Sequence, residues 1–290
     1  MRLATFSTGD GHHLGVVQGD EVADVTAADG RLGPDLGAVL QAGLLAEVAG
    51  AAVRAPRLPR AGIALAAPVL RPPKFLAIGL NYAKHVEESG AEVPAHQLWF
   101  NKQSTCVIGS GAPVHVPKAS SVVDYEGELA FVVGRRCRHV PAGRAPEAIA
   151  GYTICNDVSV RDWQFRTPTM TMGKSFDTHG PLGPWVVTPD ELGDPHRLGL
   201  RTWVNGELRQ DGCTDDLIYN CFDMVEHLST AFTLEPGDVI STGTPAGVGI
   251  AMKPPRLLKS GDLVRIEIEG IGALENPVID EPDGTATGEG

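Results

Sequence analysis

Beyond residue 70 the apolar residues fall in short runs, each closed off by glycine, proline or aspartate. They are Phe75–Ile78, Leu129–Val133, Gly151–Ile154, Trp185–Val187, Thr202–Val204, Val239–Ser241 and Leu263–Ile268. Most are rich in β-branched residues, which suit a pleated, half-buried surface, so they predict strands. Helical spacing is scarcer and clearest over Leu217–Phe232. Strands without regular alternating helices disfavour a doubly wound dinucleotide fold and predict a β-rich α+β domain. Ahead of it, Leu3–Phe6, Leu14–Val17 and Val22–Val25 read as a small β-meander with a turn at Gln18-Gly19-Asp20. Leu36, Val39, Leu40, Leu44, Val48 and Val53 then form a helical stripe that Asp35 would cap. Five prolines between Pro56 and Pro73 mark an extended passage. The expected organisation is a small N-terminal α/β domain (1–70), a larger domain (71–280) and a fraying tail (281–290), with no internal repeat.

With 24 Lys and Arg against 36 Asp and Glu the chain carries −12, a field that repels nucleic acid and anionic membrane surfaces. No apolar run approaches the roughly 20 residues of a membrane span. None behind Met1-Arg2 has signal-peptide length. Five cysteines, odd in number and without a C-x-x-C pair, suggest neither a disulfide framework nor a zinc knuckle. The expectation is a cytoplasmic protein with no nucleic-acid or membrane partner.

Candidate chemistry begins at Asp124-Tyr125-Glu126-Gly127-Glu128, which leads straight into an apolar strand. Residues two apart face the same way, so Glu126 and Glu128 would present paired carboxylates. Such a pair lies at a solvated edge, shares a proton, or binds a hard cation such as Mg²⁺. Asp157, at the end of another short strand, offers a third. Gly173-Lys174-Ser175 is no phosphate loop, because position 168, where the first glycine should stand, is Pro168. Lys174 is instead a candidate for neutralising an anion, with Arg161 and Lys102 as further cations. His85 and Glu88, three apart in a segment that Asn81 would cap as a helix, could make an oriented imidazole base. Thr242 to Gly249 follows a strand and could offer bare N–H groups to a ligand's carboxylate or phosphate.

Taken in order, these segments resemble the fumarylacetoacetate hydrolase family, and in particular its fumarylacetoacetate hydrolase domain-containing members. The resemblance runs over about residues 72 to 279. It rests on Gly79-Leu80-Asn81-Tyr82 with His85, Asp124 to Leu129, Asn156 to Gln164, Gly173 to Thr178, Val204 to Glu207 and Thr242 to Pro245. It implies a mixed β-sandwich roll, a homodimer, and a divalent cation, Mg²⁺ with Mn²⁺ or Ca²⁺ as substitutes. Carried over by position, Glu126, Glu128 and Asp157 are metal ligands, and His85 and Glu88 a water-activating pair. Lys174 is then the oxyanion-stabilising lysine, while Arg161, Gln164 and Thr244 hold the substrate. The implied activity is hydrolysis of a C–C bond in a β-diketo or acylpyruvate-type 2-oxo acid through a metal-bound enolate. An oxaloacetate-type decarboxylase or an oxo-dienoate isomerase is the alternative, and a non-catalytic metabolite-binding protein the rival from another class. One departure stands out: His179, where relatives often carry Phe or Cys.

Overall fold

A computed structural model describes residues 1–284. In chain order its principal strands are β1 (Arg2–Thr8), β2 (Gly11–Gln18), β3 (Glu21–Asp24), β4 (Phe75–Gly79), β5 (Leu98–Lys102), β6 (Gly127–Val133), β7 (Ile149–Asn156), β8 (Gly180–Val187), β9 (Gly199–Val204), β10 (Glu207–Cys213), β11 (Val239–Ser241), β12 (Leu263–Ile268) and β13 (Gly272–Asp280). The helices used below are α1 (Leu36–Gln41), α2 (Leu45–Arg54), α3 (Ala83–Ser89), α4 (Arg161–Gln164) and α5 (Cys221–Ala231). Every expected strand is present. The architecture is α+β and β-rich, a mixed roll rather than a closed barrel.

One large sheet runs β3-β2-β1-β8-β7-β6-β11-β4-β5, and a five-stranded sheet runs β10-β9-β12-β13 and ends on Val114–Val116. The alternation in β6 shows how they stack. Leu129, Phe131 and Val133 join a core shared with Leu200 and Ile266 of the smaller sheet. Ala130 and Val132 join a second core with Leu36, Val39 and Val48 of the N-terminal helices. The large sheet is therefore the middle layer. It also crosses the proline-rich passage near residue 70, because β1 pairs antiparallel with β8, Leu3 opposite Val186.

Several local expectations are corrected. The single stripe over 36–53 is two helices, since Gly43 (φ 72°) turns the chain left-handed after α1, and Val53 is exposed. Asp35 does cap α1, accepting the Ala38 N–H at 2.8 Å. The expected helix from Leu217 starts only at Cys221, after an Asn220 cap, because Ile218 N–H donates to the Asn81 carbonyl instead. Asn81 caps nothing: its amide bonds Tyr219 and Thr242, and Asp216 takes the Lys84 N–H of α3. The tail expected from residue 281 is tied at its start, where Glu281 N–H donates to Val116 and Lys118 pairs with Asp283. Residues 285–290 lie outside the described residues.

His179 is a packing residue. It is fully buried and its Nε2 contacts the His115 carbonyl at 2.7 Å. Burial pushes it down to about 3 from its ordinary 6.5, the His115 carbonyl only partly opposing this. Below pH 6.5 the unfolded chain takes a proton that folded His179 refuses, so stability falls as pH drops toward 3. We expect His179→Phe to flatten the pH slope of urea-unfolding stability between pH 6.5 and 4.5 by up to about 1.4 kcal/mol per unit. We also expect Leu3→Ala to shift one single unfolding transition, seen alike by far-UV circular dichroism and tryptophan fluorescence, by about 2–5 kcal/mol. Two separate transitions would show the meander melting by itself.

Candidate active site

The three acids meet because two neighbouring strands end together. β6 and β7 are antiparallel with Gly127 opposite Asn156 and Glu128 opposite Cys155. The Asn156 side chain accepts the Glu126 N–H at 3.0 Å, and Asp157 N–H donates to the Glu126 carbonyl at 2.8 Å. Oxygen atoms of Glu126, Glu128 and Asp157 lie within 4.8 Å of one another, all three residues buried. Residue 127 has to be glycine: a Cβ there would stand 2.3 Å from the Thr202 hydroxyl of β9. That close approach seats the β6 end on the smaller sheet and turns Glu126 and Glu128 to the opposite face.

Buried cations surround the acids. Lys174 Nζ lies 2.6 Å from Glu126 and 2.7 Å from Asp157. Gly173 lets its loop pass against α4, where a Cβ would meet the Gln164 nitrogen at 2.2 Å. Lys102, on β5, is 2.7 Å from the other Asp157 oxygen and donates to the Lys174 carbonyl. Arg161 reaches Asp124 through Nε and Nη2 at 2.9 and 2.7 Å, and Glu126 through Nη1 at 2.6 Å. Burial alone would raise Glu126, but Lys174 and Arg161 outweigh it and hold the carboxyl well below the usual range. Glu128 is the opposite case. Burial, then Asp157 and Glu126, push it far up against the opposing pull of Lys174, and its hydrogen-bond partners among the described residues are the Ser241 hydroxyl (2.5 Å) and Gly243 N–H (2.9 Å).

Above this floor α3 presents His85 and Glu88. His85 Nδ1 is 3.2 Å from Glu88, whose other oxygen accepts the Gly247 N–H at 2.9 Å. His85, Glu88, Glu126, Glu128, Arg161, Gln164, Lys174 and Thr244 all line one cavity of about 390 Å³. Asp157, fully buried, is not among the lining residues. Thr244 gives its hydroxyl proton to the Gly127 carbonyl at 2.9 Å, and Gln164 accepts from Arg161 at 2.9 Å.

Sequence reasoning missed Asp124 as the carboxylate that holds Arg161. It is fully buried and also accepts the N–H groups of Gly249 and Ile250 at 2.8 and 3.0 Å. It missed Gln210 too, which bridges the Gly127 N–H and the Thr244 hydroxyl. No local pattern marks either residue; their partners lie tens of positions away. The 242–250 loop differs from expectation in its use, since the bonded N–H groups named here serve the chain's own Glu128, Glu88 and Asp124. Lys102 lies outside the cavity lining and serves Asp157 and the Lys174 backbone.

The chain and its fold have known counterparts. Residues 74–279 match the fumarylacetoacetate (FAA) hydrolase C-terminal family. The human mitochondrial oxaloacetate tautomerase FAHD2A is 40% identical over 96% of this chain and 92% of that protein. Among solved structures, the fumarylacetoacetate hydrolase of the psychrophile Exiguobacterium antarcticum aligns at TM-score 0.87 and 37% identity over 97% of this chain and all of that one. The maleylpyruvate hydrolase of Sphingobium sp. SYK-6, in complex with manganese(II) and pyruvate, aligns at TM-score 0.81 and 34% identity, with the same coverage. The chain therefore belongs to the fumarylacetoacetate hydrolase family of enzymes.

Proposed function

We propose that this chain is a divalent-cation-dependent enzyme that forms and protonates the enolate of a small 2-oxo acid. The observation that carries the reading is one cavity joining three clustered carboxylates to an imidazole–carboxylate pair. The donor set fits a divalent ion. Four buried carboxylates, Asp124, Glu126, Glu128 and Asp157, face three buried cations, Lys102, Arg161 and Lys174. Glu128 is the acid left without a cation, so an ion held by Glu126, Glu128 and Asp157 would relieve it. Oxygen-only ligands suit Mg²⁺, with Mn²⁺ or Ca²⁺ as substitutes. When bound, such an ion supplies Lewis acidity toward the keto and carboxylate oxygens of a 2-oxo acid.

The remaining work falls to side chains. Glu88 accepts from His85 Nδ1, which leaves Nε2 as the base. Lys174 spends two N–H groups on Glu126 and Asp157, leaving one donor for a developing oxyanion. In the first reading, supported by the likeness to the oxaloacetate tautomerase, Nε2 takes the proton between two carbonyls and returns it to oxygen or carbon. That is keto–enol tautomerisation of an oxaloacetate-like acid. In the second reading Nε2 deprotonates a water that adds to the distal carbonyl, and the C–C bond breaks with release of a pyruvate enolate. The partly exposed position of His85 and Glu88 favours it, because water reaches them. The maleylpyruvate hydrolase likeness supports the same reading.

Calorimetric titration with Mn²⁺ tests the metal site: Glu128→Gln should weaken binding by more than about tenfold while the circular dichroism spectrum stays native. Unchanged affinity would remove Glu128 from the ligand set. For the chemistry, enol loss from oxaloacetate and cleavage of acetylpyruvate are followed in parallel with Mg²⁺. His85→Ala should lower kcat on the substrate used by about 10²–10⁴. Decarboxylation of oxaloacetate that survives this substitution, with no effect on tautomerisation, would count against a His85 base.

A further inference from the structure

The two strands that gather the acid triad at one end carry a cluster of opposite sign at the other. β6 runs from Gly127, beside the triad, to Val133, roughly 20 Å at about 3.3 Å per residue, and β7 returns from Ile149 opposite Val133. The loop joining these far ends holds Arg135, Arg136, Arg138 and Arg144, four of the chain's 24 Lys and Arg within one short stretch of a molecule whose net charge is −12. With Cys137, His139, Val140 and Pro141 they line a cavity of about 390 Å³, and no carboxylate is among its lining residues.

The counter-charges around this cavity are too few. Arg135 and Arg144 share one carboxylate, Glu147, at 2.5 and 3.0 Å, and Arg136 lies 3.3 Å from Glu235. Arg138 makes no ion pair or side-chain hydrogen bond among the described residues. Glu226 of α5 is spent on the Ala142 N–H. Four guanidiniums gathered on two carboxylates repel one another unless a further anion joins them. The backbone keeps them gathered. Cys137 and Leu234 exchange both N–H bonds, at 3.0 and 2.9 Å, while the His139 and Val140 N–H groups donate at 2.9 Å to the carbonyl and hydroxyl of Ser229 on α5.

We infer that this arginine loop is a second ligand site, separate from the active-site cavity, and that it takes a chain of linked phosphates, whether free or as the di- or triphosphate group of a nucleotide. The planar guanidinium fork matches phosphate oxygens two at a time. The side chains of Arg135, Arg136 and Arg144 are 54–73% exposed, so any one of them holds an anion only weakly. A phosphate chain that spans several forks at once adds these small contributions together, whereas a single phosphate or carboxylate reaches too few of them. None of the four arginines lines the cavity of the acid triad, so the inference stands or falls apart from the 2-oxo acid reading.

The full chain, without added divalent ion so that no phosphate is chelated, is titrated calorimetrically at low salt with orthophosphate, diphosphate, tripolyphosphate, ATP and citrate, the last a multiply charged anion built of carboxylates. Affinity should rise by at least about tenfold from orthophosphate to tripolyphosphate, exceed that for citrate, and weaken as salt is added. Arg138→Glu should lower tripolyphosphate affinity by at least about tenfold with an unchanged circular dichroism spectrum, and Arg138→Lys, which keeps the charge without the fork, should lose less. A second cationic groove, lined by Arg2, Arg60, Arg201 and Arg265, supplies the control: Arg201→Glu should leave the affinity as it was. ATP binding as tightly as tripolyphosphate would assign recognition to the phosphates alone, and tighter ATP binding would identify a nucleotide as the source; both support the site. Absence of tripolyphosphate binding, citrate binding as tightly, or a loss caused by Arg201→Glu and not by Arg138→Glu would overturn it.

Discussion

The carboxylate of Asp157 is sealed from water with an ammonium on each oxygen, Lys102 on one side and Lys174 on the other. Most of the site's geometry follows from that arrangement. A buried charge is tolerable only when paired, and removing one partner of such a pair typically costs about 3–5 kcal/mol. Lys102 comes from an edge strand, Lys174 from an irregular loop, and Asp157 from the end of a central strand. The pairings therefore hold the loop that bears Lys174 against the large sheet. Lys102 strengthens the link by donating to the Lys174 carbonyl as well.

The 242–250 loop imposes a second constraint. Its N–H groups hold three carboxylates with different tasks: Glu128 by Gly243, Glu88 by Gly247, and Asp124 by Gly249 and Ile250. A candidate metal ligand, the residue that contacts His85 and the residue that orients Arg161 are thus placed by one stretch of backbone. Floor and wall are coupled for the same reason, because Val248 and Ile250 of this loop also face the cavity.

The sequence made legible whatever depends on local periodicity. Period-two alternation placed Glu126 and Glu128 on one face, and the strand carrying them lies where the apolar run begins. Spacing of three put His85 within reach of Glu88. Partners were illegible when they came from far along the chain: Asp124 for Arg161, Lys102 for Asp157, Asp216 rather than Asn81 for the first turn of α3. A glycine-rich turn shows that N–H groups are available without showing what claims them, so groups assigned to a ligand proved to hold the chain's own acids. Family resemblance supplied candidate roles for the site residues; the partners that orient them emerged only from the fold.

On the proposed function, tautomerisation and C–C hydrolysis would differ at this site in one physical respect, whether a water molecule reaches the distal carbonyl beside His85. The floor is closed to solvent by its own ion pairs, whereas the His85–Glu88 pair retains access. The distal group of a bound acid would then bear on the course taken. One long enough to cover Phe165 and lie along Leu80 and Ile250 would shield the carbonyl and leave proton transfer as the available course. A short one would leave room for water and so for bond cleavage. By this argument the cavity wall would bear on which of the two reactions follows.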